Sequence, residues 1–237
     1  MPDITASNSA IIKVDNASSW SDARGASTGN RSEPNILGLK VATSSSPFDL
    51  YRAFIVFDTS AISVAPSSAT LKLTAPSTSL QQPFIIVQGN AGATGSTSAE
   101  YVDGDFDQVT TTAFSDAQTS GWSNNASNSI TLNATARQAM ADLDEFRIAV
   151  VTGKDYNNNG DAASTKSGPR FYSAATSTAS NRPIISYVAG TAGDTPQEQR
   201  NKRRRRRSKG ARGKGFSRKH VSVATGGKTV ANGFEEI

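Results

Sequence analysis

Apolar residues occupy nearly every position of Tyr51-Arg-Ala-Phe-Ile-Val-Phe-Asp58. In an extended strand Phe54, Val56 and Asp58 lie on one face and Ala53, Ile55 and Phe57 on the other, so the run predicts a strand in a sheet interior. Ser68-Ala-Thr-Leu-Lys-Leu-Thr74 behaves differently. Ala69, Leu71 and Leu73 alternate with Ser68, Thr70, Lys72 and Thr74, the pattern of a strand with one face on a core and one in water. The residues between, Thr59 to Pro66, read as a loop, and the two runs are expected to be neighbours in one antiparallel sheet.

The same reading extends along the chain. Residues 8–16 predict an opening strand, and Ala17 to Pro34 a long polar loop containing Trp20. Gln82 to Gln88 predicts a strand with Pro83 at its start, where a missing donor does little harm, and residues 89–100 a Gly/Ser/Thr-rich loop. A short strand at Ser129–Asn133 leads into Ala134–Leu143, where Ala136, Met140 and Leu143 recur at helical spacing, and this helix is expected to cover one end of the molecule. Phe146–Val151 is apolar on both faces and should pair near the central strand, while Gly168–Ser173 and Arg182–Val188 supply the last strands. Many short strands, polar turns and one helix make an all-β, antiparallel, jelly-roll-like sandwich over residues 1–190. A linker at 191–199, an extended basic arm at 200–220 and a docking segment at 221–237 follow.

Tyr51-Arg-Ala-Phe-Ile-Val-Phe-Asp-Thr-Ser-Ala-Ile62, followed by Ser68-Ala-Thr-Leu-Lys-Leu73, resembles the signature of the DNRLRE-type β-sandwich domain, related to carbohydrate-binding-module folds. Val14-Asp-Asn16, Leu37-Gly-Leu-Lys-Val41, Phe171-Tyr-Ser-Ala174 and Arg182-Pro-Ile-Ile-Ser-Tyr187 extend the resemblance to roughly residues 8 to 190. It implies a β-sandwich of the kind carried by bacterial surface and secreted proteins and by phage particles. The chain departs from the family where Ala174, Ala175 and Thr176 replace acidic or polar residues.

The absence of cysteine excludes disulfides, thiolate metal sites and cysteine nucleophiles. The sole histidine, His220, lies in the basic arm, which argues against a Ser-His-Asp triad or histidine metal site in the sandwich. Asp103, Asp105, Asp107, Asp142, Asp144 and Glu145 are the candidates for a glycosidase-type carboxylate pair, but no spacing singles one out, and the chain reads as non-enzymatic. In an extended strand the carboxylates of Asp103-Gly-Asp-Phe-Asp107 would lie about 7 Å apart on one face, so a cation or a bend through Gly104 is expected, with a solvated turn as the plain reading.

Asp155-Tyr-Asn-Asn-Asn-Gly-Asp161 places Asp155, Asn157 and Asn159 at positions 1, 3 and 5 of a calcium loop, with Gly160 at the turn and Asp161 at 7. Lys166 stands where the bidentate glutamate belongs, and such clusters also make plain tight turns, so both readings stay open. Calcium is the one candidate cofactor. Trp20, Tyr101 and Trp122 are candidates for stacking on sugar rings, with capping of the core as the other role for Trp20.

Charge divides the chain. Residues 1–197 carry 12 Lys+Arg against 17 Asp+Glu, net −5, and residues 198–237 carry 13 against 3, net +10. Arg200, Lys202, Arg203, Arg204, Arg205, Arg206, Arg207, Lys209, Arg212, Lys214, Arg218 and Lys219 form an arm suited to polyanions or acidic protein surfaces. Val221, Val223, Val230, Phe234 and Ile237 could dock on a partner. No charged-then-apolar leader and no membrane-length apolar run is present, so neither signal-dependent export nor membrane insertion is expected.

The leading expectation is a multi-copy phage structural protein, assembled in the host cytoplasm and exposed on the virion, with the arm docked on capsid, neck or tail. The alternatives are a glycan-binding host-recognition module and a nucleic-acid-binding protein acting through the arm.

Overall fold

The central apolar run lies within an eleven-residue strand, Phe48–Asp58, from which the rest of the molecule is built outwards. The structure is a computed structural model that describes residues 1–42, 47–76, 82–89, 101–160 and 165–191. Its strands are β1 (Asp3–Thr5), β2 (Asn8–Ala17), β3 (Asn30–Ser32), β4 (Ile36–Ala42), β5 (Phe48–Asp58), β6 (Ser68–Thr74), β7 (Phe84–Gly89), β8 (Val109–Ala113), β9 (Ser127–Thr131), β10 (Glu145–Thr152), β11 (Thr165–Tyr172) and β12 (Ile184–Val188). The helices are α1 (Trp20–Gly25), α2 (Ala134–Asp142) and α3 (Gly153–Tyr156). The arm and the docking segment lie outside the described residues, and Met1–Thr191 form one compact unit.

Two antiparallel sheets pack as an all-β sandwich. The smaller has the order β1-β12-β6-β9; the larger, of eight strands, runs β11-β4-β5-β10-β7-β8, with β2 paired to β5 and β3 paired to β2. β5 is paired with β2, β4 and β10, and the β10 register sets Phe146 opposite Phe57 and Ile148 opposite Ile55. The expectation that β10 pairs with the central strand therefore holds.

The expected pairing of β5 with β6 does not. β6 lies in the four-stranded sheet, and Thr59–Ser67 carries the chain from one sheet to the other. The alternation itself holds, since Ala69, Leu71 and Leu73 are buried and Thr70 and Lys72 are not, but the buried residues face β5 across the core. Period-2 patterning fixes which face is apolar and says nothing about which sheet the strand joins.

Both faces of the large sheet are covered. Ala53, Ile55 and Phe57 join Leu71, Leu73 and Ile185 in the core between the sheets. Phe54 and Val56, on the opposite face of β5, pack in a second cluster with Ile12, Val87, Ala23, Tyr101 and Phe106. The second cover comes from α1, residues 101–108 and α3, and it explains a strand without a wet face.

Other segments differ in detail from the pattern. The polar stretch 17–34 contains α1 and β3, and β1 and β8 are strands that the pattern did not reveal. α1 is capped by Ser19, whose hydroxyl accepts from the Asp22 N–H at 3.0 Å. α2 begins at the predicted place because Asn133 Oδ1 accepts from the Ala136 N–H at 3.0 Å, and it buries Ala136 and Met140 in the inner core. It stops one residue early, leaving Leu143 exposed. Among the described residues no helix is long and apolar enough to cross a membrane.

Candidate functional site

Arg52 is the buried charge of β5, only 5% exposed between Leu50 and the apolar run Ala53–Phe57. A buried guanidinium has to be paired and hydrogen-bonded. Asp155, in the first turn of α3 and 3% exposed, answers it with both oxygens: Arg52 Nε donates to Oδ2 at 2.7 Å and Nη2 to Oδ1 at 2.8 Å. This is the bidentate fork that arginine makes with carboxylates. Arg52 Nη1 also donates to the Phe106 carbonyl at 2.7 Å, and the guanidinium lies over the Phe106 ring, 4.2 Å from its centroid. A longer bond, 3.4 Å, runs from Nη2 to the Arg24 carbonyl at the end of α1. One side chain from the sheet thus ties down all three segments of the outer layer.

Arg24 adds a second cation. Its Nε donates to the Asp155 carbonyl at 3.1 Å and lies 3.5 Å from Oδ1. Beside these groups opens a cleft of about 170 Å³, lined chiefly by Arg24, Arg52, Asp107, Thr110, Asp155 and Tyr156. The Tyr156 hydroxyl donates to the Thr111 carbonyl and the Thr110 hydroxyl to the Gln88 carbonyl. The cleft is polar and nearly balanced in charge, with most of its donors already engaged within the protein.

This geometry settles where the candidate calcium residues sit. With both Asp155 oxygens engaged by Arg52, the carboxylate serves as a counter-charge in the interior and is not presented to a bound cation. Asn157 caps α3, Asn158 takes a left-handed φ of 50°, and Asn159 donates its N–H to the Lys154 carbonyl, as in a tight turn. Asp161 lies outside the described residues. Among the described residues no group of three or more His, Asp or Glu is placed to hold a metal ion.

The three aromatic candidates do not form a strip. Tyr101 is fully buried against Phe54, with ring centroids 5.1 Å apart, and burial pushes its phenol well above the ordinary value. It is a core residue, which corrects its reading as a stacking surface. Trp122 packs edge-on against Phe84, at 5.2 Å, on the other side of the large sheet. Trp20, half-buried, caps the outer cluster: its indole N–H donates to Asn158 Oδ1 at 3.1 Å, and its ring lies over Gly160.

A Cβ at Gly160 would come within 2.2 Å of the Trp20 ring. Gly160→Ala is therefore expected to displace the indole, cost about 1–3 kcal/mol and alter the tryptophan emission, measurable in a urea titration followed by fluorescence.

Five of the six carboxylates considered for catalysis are hydrogen-bonded within the protein, and at Asp144 the backbone carbonyl is. Asp103 Oδ1 accepts from the Arg31 N–H and Asp105 Oδ2 from the Val102 N–H, each at 2.7 Å, so the chain bends through a 3₁₀ turn at Asp103–Asp105, as the spacing of charges requires. Asp105 is buried and not solvated. Asp107 accepts from Gln108, Asp142 from Gln138 and Glu145 from Arg147, while the Asp144 carbonyl accepts from Thr59.

The residues that sequence reasoning passed over are Arg52 and Arg24. The signal for Arg52 was present, since a charge within a strand apolar on both faces demands a buried partner. The identity of that partner, 103 residues away, was not legible. Compared with protein-family models and with the sequences of curated proteins, the chain matches none.

Proposed function

We propose that this chain is a non-enzymatic structural protein of a phage particle. Its sandwich, of the DNRLRE type, is displayed outwards, and the arginine- and lysine-rich segment 200–220 anchors it to an acidic surface of a capsid, neck or tail component. The observation that carries the reading is the division of charge, net −5 over residues 1–197 and net +10 over residues 198–237. Like charges packed that densely seek a polyanionic or acidic partner, and the association weakens as salt rises. The sandwich supports a display role because both faces of its large sheet are covered by its own chain. Recognition of a glycan through Trp20, Tyr101 and Trp122 has less to stand on, because Tyr101 and Trp122 are built into the packing of opposite faces.

The test uses particles or tails from a producing strain, mixed with the full chain or with a variant in which Arg203, Arg204, Arg205, Arg206 and Arg207 are all glutamine. At about 0.15 M salt the wild-type chain is expected to sediment with the particles and the variant to stay in the supernatant. Sedimentation of both, or of neither, would overturn the anchoring role. Release of the wild type by nuclease would give the arm to nucleic acid instead.

A further inference from the structure

A second concavity, of about 320 Å³, opens around Tyr51 where β2, β4, β5 and β11 lie side by side. Lys13 of β2 and Lys40 of β4 are both register partners of Tyr51, one on each edge of β5. Their ammonium groups sit over the tyrosine ring, 5.3 Å and 5.4 Å from its centroid. Arg170 of β11 is the register partner of Gly38, and its stem lies against that glycine, 3.4 Å from where a Cβ would be. The rest of the lining is Ile11, Pro34, Ile36 and Leu39.

Three features define what fits. The lining holds three cations and no acid, within a body whose net charge is negative. Asp15 and Asp49 stand nearby and act on the lining groups: Asp15 accepts from the Tyr51 hydroxyl at 2.6 Å, and Asp49 from Lys40 at 2.7 Å. Burial and the Asp15 bond hold the phenol protonated well above its ordinary range. The floor is aliphatic, and the one aromatic ring has its face taken up by ammonium groups, so it offers no plane for a sugar.

We infer that the Tyr51 groove binds an extended acidic peptide from a partner protein, its carboxylates meeting Lys13 and Arg170 and sharing Lys40 with Asp49, and an apolar side chain between them resting on Pro34 and Ile36. Alternate residues of an extended peptide project about 7 Å apart, within reach of lysines rooted on strands either side of β5. The inference stands apart from the particle reading, since it does not use residues 198–237.

The experiment is fluorescence anisotropy with a labelled Glu-Val-Glu-Ile-Glu peptide and its glutamine counterpart, on the full chain so that any contribution of the arm is common to every variant. Lys13→Glu is expected to weaken binding of the acidic peptide tenfold or more and Arg170→Gln several-fold, while Lys72→Glu on the other sheet changes little. The glutamine peptide is expected to bind at least tenfold more weakly than the acidic one. Equal effects of Lys13→Glu and Lys72→Glu, or equal binding of both peptides, would overturn the groove assignment. Tighter Lys13-dependent binding of polygalacturonate would give the groove to an acidic sugar and overturn the peptide.

Discussion

Replacing Arg52 with methionine is expected to cost about 3 kcal/mol of folding free energy, and replacing Asp155 with leucine nearer 5 kcal/mol. Both changes leave a buried charge without its bidentate partner. The difference arises because Asp155 keeps Arg24, whose Nε lies 3.5 Å from Oδ1, whereas Arg52 is left with only the carbonyls of Phe106 and Arg24. The double variant Arg52→Met, Asp155→Leu should recover much of the loss, since an apolar pair of similar volume removes both desolvation costs. Urea unfolding of the wild type, the two single variants and the double variant closes the cycle. Single losses below about 1 kcal/mol would mean that water reaches the pair through the adjoining cleft.

Phe54→Ala and Phe57→Ala are expected to destabilise the chain alike, each by about 3–5 kcal/mol. The two rings stand three residues apart on one strand, so they project to opposite faces of the sheet, and both are fully buried. A sandwich with a single core would leave one of them in water, and its truncation would then cost little. Phe54 is instead enclosed by Tyr101 and the outer cluster, so its loss opens a cavity as large as the one left by Phe57. Parallel denaturant titrations decide the matter. A cost for Phe54→Ala under 1 kcal/mol would show that the outer layer does not seal that face.

How much of this was legible depends on which interactions have a sequence period. β5, β6, β10 and α2 could be placed because burial at period 2 or 3.6 writes itself into the order of apolar residues. The assignment of β6 to the facing sheet could not, because pairing partners leave no mark on a strand's own alternation. α1 and β3 were hidden in a polar stretch: α1 is six residues long and buries only Ala23, and β3 is a three-residue strand. At the candidate site, Asp155 drew attention for the right reason, an acid in a turn-forming cluster. Its role was decided by Arg52, which only the fold brings within 2.7 Å. Tyr101 illustrates the same limit, since an aromatic between the polar loop 89–100 and the acidic run Asp103–Asp107 looks like a surface group until Phe54 is found against it.

The outer layer has a further property that follows from how Arg52 holds it. Its attachment points, at Arg24, Phe106 and Asp155, stand 28, 54 and 103 residues from Arg52 along the chain. Among the described residues β3 pairs with β2 beside this layer, and Arg52 adds a tie from the middle of β5 to each of its three segments. Closing those long loops is an entropic debt that local contacts cannot meet. Any event that frays β5 at Arg52 therefore loosens α1, the 101–108 turn and α3 together, and they behave as one cooperative unit although the sequence scatters them.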